Sequence, residues 1–568
     1  MSNERMYVGT LIGESTSRQF RMAIVSGAVR EQDLVAMDVF DEDEQEHLQP
    51  KRRIWAKVQR IERLNPMFPL ESGHELAHAD LDAYDTVLSL SREIVTAVCL
   101  IMGAEVLDAF KDSALQRLRY PPKPATRVFR PSSDEIARVV LGALKKQSQR
   151  ALNIATLSNR EAVDVLVDGH AIVTRHLAIL AMTGAGKSWS SRRVLEELAN
   201  KNYPIVIFDP HGDYSGLAKV SSLKDKVKRY YAHFPLFEED SETVAQIVDS
   251  LGYAMTDTML ARFGEVFRAA ASFYVEDEDE RAERCAWLAQ TLGQPEIIQY
   301  GLYPNMWLLA HVAAAGELGI REDDDDIKWQ LAQWGWSGLE LYSGSERRTL
   351  EGIKKRAYRA AAVLQRMEKT NRRIAGRAEA LPSDRRELVA YGQISIISLA
   401  GYTGDFQATI YRMIVNDIFE ARISDQLRLP VLFVLEEAHN FASAKAMTPA
   451  ERRAITITRQ VAQEGRKFGV GLLLISQRPS RLDETTLAQC NSYIIMRMVN
   501  PTDQTFMRRV IETLGEEEVQ MLPELDVGEA LLSGQLINFP VLVKMKPPAS
   551  KGEREEKDAF DALEEARK

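Results

Sequence analysis

Residues 181–188 read Ala-Met-Thr-Gly-Ala-Gly-Lys-Ser, a spacing suited to gripping a phosphate group. Gly184 and Gly186 let the backbone bend so that successive N–H groups point inward at an anion. The helix expected to follow, over 187–201, turns its positive end toward the same charge. Lys187 supplies a mobile cation for the β- and γ-phosphates of ATP, and the hydroxyl of Ser188 suits Mg²⁺. Thr183, Gly184, Ala185, Gly186, Lys187, Ser188 and Trp189 are therefore the expected nucleotide contacts. Ala181 stands where this pattern usually has glycine, and alanine fits there if its φ is negative, as at the end of a strand.

A metal and an attacking water need carboxylates, and Leu432-Phe433-Val434-Leu435-Glu436-Glu437-Ala438-His439 supplies two at the end of an apolar run. Side chains of adjacent strand residues diverge. Glu436 is thus expected to face Mg²⁺ while Glu437 polarises the water beside the γ-phosphate. Glu436 takes a place more often held by aspartate. Two further strand ends carry polar groups, Asp209 after Ile205-Val206-Ile207-Phe208 and Gln477 after Leu472–Ser476. Ligands of open α/β sheets sit at such ends, so Asp209 can assist the metal or the water and Gln477 can sense the γ-phosphate; loop hydrogen bonding is the alternative for both. His439 orients Glu437 rather than acting as a base.

These residues require a parallel sheet. Strand-like 162–167 and 176–181, the helix over 187–201 and the strand 204–209 form a βαβ unit. Strands return at 393–399, 431–435, 470–475 and 493–498. The fold class is therefore α/β, a P-loop core sheet broken by a helical insertion. In front of it lie alternating strands at 6–12, 20–25, 33–39 and 54–61, read as a small β-barrel. The acidic run 41–44 is a solvated loop, a helix is expected around 76–90, and Pro121-Pro122-Lys123-Pro124 is a rigid connector. The organisation is a barrel at 1–65, a mixed connector at 66–159, a first core part at 160–239, a helical insertion at 240–390, a second core part at 391–548 and a charged tail at 549–568.

Several strings together resemble the HerA branch of the HerA/FtsK ATPases: Leu180–Ser188, Asp209-Pro210-His211-Gly212-Asp213-Tyr214, Glu436–Phe441, Glu464–Val470, Ser476–Ser480, Gln489-Cys490-Asn491 and Gly528-Glu529-Ala530. The resemblance covers residues of about 160–545, and the β-rich start is similar to that family's barrel. It implies a RecA-like fold, a homohexameric ring with ATP sites between subunits, and a double-stranded DNA translocase or helicase. It also implies a partner nuclease of the NurA kind or, in defence systems, an effector such as a sirtuin-like protein. The family's trans-acting arginine falls on Arg466. From the residues themselves Arg459, Arg466, Lys467 and Arg478 all remain open for that role.

The bulk properties bound this reading. A length of 568 residues implies two to four domains. Hydrophobic residues at 45% and charged residues at 27% exclude a disordered or fibrous chain. No apolar run approaches the ~20 residues that span a bilayer, no secretory leader is legible, and the three cysteines lack ligand spacing, so a cytoplasmic location and no membrane partner are expected. A net charge of −10 argues against a broadly basic surface. Any DNA contact is then local, sequence-independent and salt-sensitive. The basic run 346–373 is either a pore element tracking phosphates or a helix face paired with nearby acids. Three functions follow: a translocase feeding a nuclease in DNA end processing and repair, the same ring in anti-phage defence, or an ATP-dependent assembly scaffold that does not translocate.

Overall fold

The computed structural model describes residues 6–24, 27–39, 52–64, 94–107, 115–141, 144, 147–233, 236–273, 275, 277–298, 305–336, 339, 342, 344–551 and the single positions 563 and 567. The acidic run 41–44, the helix expected around 76–90 and most of the charged tail lie outside them. The chain divides into two compact units, 1–171 with 492–497 and 513–547, and 172–491 with 498–512 and 548–568.

The first unit begins with a closed antiparallel barrel. Its strands are β1 (Met6–Ser15), β2 (Gln19–Ile24), β3 (Leu34–Val39), β4 (Arg52–Leu64), β5 (Ile94–Val106) and β6 (Arg127–Arg130), in the order β1-β2-β5-β4-β3-β6. Alternate residues fill the interior: Val35 and Met37 from β3, Ile54, Ala56 and Val58 from β4, and Ala97 and Cys99 from β5. The four strands read from the first 65 residues are present, but they do not close alone. Closure draws in β5 and β6 from the stretch expected to be a connector, because β2 and β4 each need a partner along β5. The next strands, β7 (Ala151–Leu157) and β8 (Arg160–Asp168), pair with each other in this same unit.

The second unit carries the parallel sheet. Its strands are β9 (Leu177–Leu180), β10 (Ile205–Asp209), β11 (Val227–Tyr231), β12 (Glu379–Ala380), β13 (Ile394–Ser398), β14 (Val431–Glu436) and β15 (Val470–Ser476), ordered β12-β11-β13-β10-β14-β15-β9 with parallel neighbours. The residues of β9, β10, β13, β14 and β15 are all buried, as fully covered parallel strands require. The helical insertion falls between β11 and β12 and runs from Ser241–Ser250 to the long helix Gly344–Ala375. Helix Gly404–Ile423 packs on helix Pro449–Phe468, which leads through Gly469 straight into β15. Gly469 ends that helix at φ +69°, where glycine has no steric cost.

The last strands are β16 (Ser492–Met496), β17 (Glu529–Gly534) and β18 (Val541–Met545); only the first is read from the sequence, at 493–498, and the whole stretch is assigned there to the second core part. They belong to the first unit instead, because β16, β17 and β18 form an antiparallel meander that continues onto β7. Residues 548–551 return to the second unit. There the carboxylate of Glu196, on helix Lys187–Asn200, accepts the N–H groups of Ala549 and Ser550 at 2.8 Å each and the Ser550 hydroxyl at 2.5 Å. Gly216 makes room for this segment, since a Cβ there would lie 1.8 Å from the Lys551 carbonyl oxygen.

Candidate active site

The sheet order sets the geometry. β9 leads into the loop 181–186, β14 ends in the two glutamates, and β15, ending at Ser476-Gln477, lies between them. Parallel strands put these three ends on one edge. Ala181 has no positive φ and is fully buried, its N–H donating to the Ser476 carbonyl at 3.2 Å. The substitution for glycine is therefore unstrained. Gly184 at φ +80° and Gly186 at φ +100° adopt the left-handed backbone that bends the loop. Helix Lys187–Asn200 starts at Gly186 with no side-chain cap and no acidic residue in its first turn, which leaves its positive end available to an anion. Trp189 is 45% exposed on that turn.

Lys187 is buried and reaches both glutamates, with Nζ 2.8 Å from Glu436 Oε1 and 2.7 Å from Glu437 Oε1. The two carboxylates converge, contrary to the divergence expected of neighbours on a strand. The cause is local: β14 ends at Glu436, and Glu437 takes φ +50°, ψ +54°, which swings its side chain back over the same edge. Such a conformation costs a non-glycine residue of order 1–3 kcal/mol and concentrates at functional sites. Gln477 completes the cluster, its amide donating to Glu437 Oε1 while its carbonyl accepts the Thr183 hydroxyl. The four residues Thr183, Gln477, Glu437 and Lys187 thus form one continuous polar chain across the strand ends.

Burial and the ammonium act on the two glutamates differently. Complete burial pushes Glu436 up to about 7, against the pull of Lys187. Burial also opposes ionisation of Glu437, but Lys187 and the Gln477 amide outweigh it and hold that carboxyl below the usual range. Lys187 itself is desolvated, yet the two carboxylates raise its pKa. Glu437 Oε2 is buried with no hydrogen-bond partner among the described residues, and His439 Nδ1 approaches it only to 3.4 Å. Burial lowers the pKa of His439, so the ring is neutral at physiological pH.

Asp209 closes β10, the strand next to β14. Its carboxylate is fully occupied by the loop that follows, accepting the N–H groups of His211, Gly212 and Asp213 on Oδ1 at 3.2, 2.7 and 3.2 Å and that of Tyr214 on Oδ2 at 3.2 Å. Of the two roles open to it in the sequence, the loop hydrogen bonding is what its contacts display. The loop it holds delivers Tyr214, whose hydroxyl donates to Glu436 Oε2 at 2.5 Å. In the sequence Tyr214 stands only as part of the string Asp209–Tyr214, with no part in the site.

The arginines separate by position. Arg459 is engaged within the chain, its guanidinium gripping Asp483 through Nε at 3.0 Å and NH2 at 2.6 Å. Arg466 is exposed near the end of helix Pro449–Phe468 and makes no ion pair among the described residues. That helix end adjoins the start of β15, so Arg466 is on the opposite sheet edge, roughly 20 Å from the phosphate loop at ~3.3 Å per strand residue. Arg478 is exposed beside Gln477. Part of the basic run is paired: Arg347 and Lys354 meet buried Glu317 at 3.4 and 2.8 Å, Lys355 meets Glu351 at 2.7 Å, and Arg356 donates to the backbone carbonyls of Ala254 and Gly352.

A parallel sheet whose edge joins a glycine-bent phosphate loop, its lysine, a pair of strand-end glutamates and a polar residue on the strand between defines a P-loop ATPase with a RecA-like core. A family model for the central domain of the helicase HerA matches residues 152–418. A probable helicase of Methanocaldococcus jannaschii is 28% identical, with 78% of this chain and 74% of that protein covered. The DNA double-strand break repair helicase HerA of Pyrococcus furiosus is 26% identical over 86% of this chain and 84% of its own. Among solved structures, VirB4 of Thermoanaerobacter pseudethanolicus overlaps 70% of this chain and 96% of its own with a TM-score of 0.43 and 15% identity, too loose a likeness to transfer any residue. The chain is similar to HerA helicases over most of its length. No described helix is long and apolar enough to cross a membrane.

Proposed function

We propose that this chain is an ATP-driven translocase or helicase acting on double-stranded DNA without sequence preference, assembled as a homohexameric ring and working with a partner nuclease in DNA end processing and repair. The observation that carries the reading is the convergence of Glu436 and Glu437 on Lys187, with Gln477 bridging Glu437 to the phosphate loop. This is the equipment of an ATPase that turns over, rather than of a nucleotide-stabilised scaffold. On nucleotide binding the Lys187 ammonium exchanges its carboxylates for phosphate oxygens. Glu437, free of the lysine and held by Gln477, then accepts the proton of the attacking water through its unpartnered Oε2. Trp189 offers an aromatic face beside the nucleotide.

The site also fits Mg²⁺. Ser188 lies in the first helical turn beside Lys187, and the Glu436 carboxylate, fully buried, meets the Lys187 ammonium. Among the described residues there is no cluster of three or more His, Cys, Asp or Glu able to hold a metal. That agrees with an ion which takes few protein ligands and completes its shell with phosphate and water. When bound, the ion neutralises charge on the phosphate oxygens.

The ring is supported by Arg466. Its place roughly 20 Å from its own phosphate loop, with no ion pair among the described residues, suits a residue acting on a neighbour's nucleotide. The test is ATP hydrolysis with and without linear duplex DNA, together with displacement of streptavidin from biotinylated DNA ends. DNA-stimulated hydrolysis with displacement is expected. ATP-dependent assembly with neither would overturn the motor in favour of a scaffold.

A further inference from the structure

Tyr214 is fully buried, and its hydroxyl stands between two elements of the site. On one side it donates to Glu436 Oε2 at 2.5 Å. On the other it lies 2.9 Å from the Ser191 hydroxyl, and Ser191 Oγ is itself 3.2 Å from the carbonyl oxygen of Ser188. Each hydroxyl has one proton. The Tyr214 proton goes to the carboxylate, so in the 2.9 Å contact Ser191 is the donor to Tyr214, with the Ser188 carbonyl a longer, competing acceptor at 3.2 Å. Glu436 is thereby gripped on both oxygens, by Lys187 on Oε1 and Tyr214 on Oε2.

The two grips differ in permanence. Lys187 is mobile and must leave to meet phosphate. Tyr214 is fixed by full burial and by the Asp209 carboxylate, which holds the backbone N–H of Tyr214 and of the three residues before it. We propose that Tyr214 is a positioning residue for ATP hydrolysis: its phenol keeps Glu436 aimed at the nucleotide once Lys187 has left and, through Ser191, ties that carboxylate to the helical turn carrying Ser188. The inference rests on Glu436 and Ser188 facing the metal. It makes the spacing of those two groups, and so the affinity for Mg²⁺ in the presence of ATP, depend on a phenol that touches neither nucleotide nor metal.

The experiment compares the full-length wild-type chain with Tyr214→Phe, Ser191→Ala and Glu436→Gln. Binding of a fluorescent N-methylanthraniloyl ATP is measured without Mg²⁺ and across a Mg²⁺ titration, and hydrolysis is followed over the same titration. Phenylalanine keeps the ring and removes only the donor. A lost hydrogen bond to a charged group should raise the Mg²⁺ midpoint of Tyr214→Phe about tenfold. Metal-free nucleotide affinity should stay unchanged, and excess Mg²⁺ should restore most of kcat. Ser191→Ala should move the midpoint the same way by a smaller factor. A kcat loss in Tyr214→Phe with an unmoved midpoint, or loss of metal-free nucleotide binding, overturns the proposal. If Tyr214→Phe melts below the assay temperature, Ser191→Ala decides alone, and an unmoved midpoint there overturns it. A Glu436→Gln chain with a wild-type midpoint overturns the metal-facing reading of Glu436 itself, and this inference with it.

Discussion

Replacing Glu437 with glutamine tests the site at its centre, because that carboxylate is asked to do two opposed things. It tethers Lys187 at 2.7 Å, and in the proposed mechanism it accepts the proton of the attacking water. At that separation a charge pair is worth about 6 kcal/mol gross at an effective dielectric of ~20. Most of this is offset by the cost of desolvating both ions. If a quarter survives, glutamine releases about 1.4 kcal/mol of restraint on Lys187, a tenfold gain in nucleotide affinity. Removing a negative charge from beside the γ-phosphate acts in the same direction. The amide cannot take a proton, so turnover should fall by about 10²–10⁴. Glutamine also keeps the shape of the side chain and leaves Lys187 paired with Glu436. Fluorescent nucleotide titration gives the affinity, and single-turnover phosphate release gives the chemical step. Tighter binding with arrested hydrolysis is the expected pair of results. Normal turnover, or weaker binding with the protein folded, refutes the assignment.

Asp209→Ala should lower the melting temperature and raise the Mg²⁺ requirement together, since four backbone N–H groups lose their acceptor and leaving buried donors unmade costs about 1–3 kcal/mol; thermal melts and Mg²⁺ titrations check it. Gly216→Ala should expel residues 548–551 from their seat, because its Cβ would lie 1.8 Å from the Lys551 carbonyl oxygen, and limited proteolysis should then remove the end of the chain faster. His176 is buried, with Nδ1 accepting the Leu472 N–H at 2.9 Å and Nε2 bonded to the Ala462 carbonyl at 3.0 Å, and burial depresses its pKa to about 4. The unfolded chain therefore binds the proton first, and stability is lost as pH falls from about 6.5 to about 4, by about 3 kcal/mol at the lower end. Denaturant titrations over that range should show the slope, and His176→Asn should flatten it, since asparagine tolerates the left-handed backbone that His176 adopts at φ +58°.

What the sequence made legible was what depends on local spacing. The glycine pair at 184 and 186, the lysine after them and the apolar strands ending in Asp209, Glu436 and Gln477 carry their own periodicity, and the parallel core with its helical interruption follows from them. The missing parts depend on residues far apart in the chain. Nothing near β5 indicates that it completes a barrel begun ninety residues earlier, since strand pairing at that range is decided by which edges remain open. The meeting of Glu436 with Glu437 turned on one backbone angle at position 437, where propensity favours the opposite hand. Tyr214 was hidden for a related reason. A tyrosine in a polar turn reads as a surface residue, and only the carboxylate at 209 curls that turn inward. The pairing of Arg459 with Asp483 likewise spans 24 residues and narrows a choice among arginines that spacing alone left open.

The seat that Glu196 provides for residues 549 and 550 has a mechanical consequence. Glu196 lies about two and a half turns along the helix that begins at Lys187, and Gly216 lies two residues past Tyr214. The stretch 548–551 is therefore wedged between the two levers that set the catalytic groups. A force applied to the chain just beyond Lys551, by another protein or by a neighbouring copy, would pull on the helix of Glu196 through its hydrogen bonds and press or release the turn at Gly216.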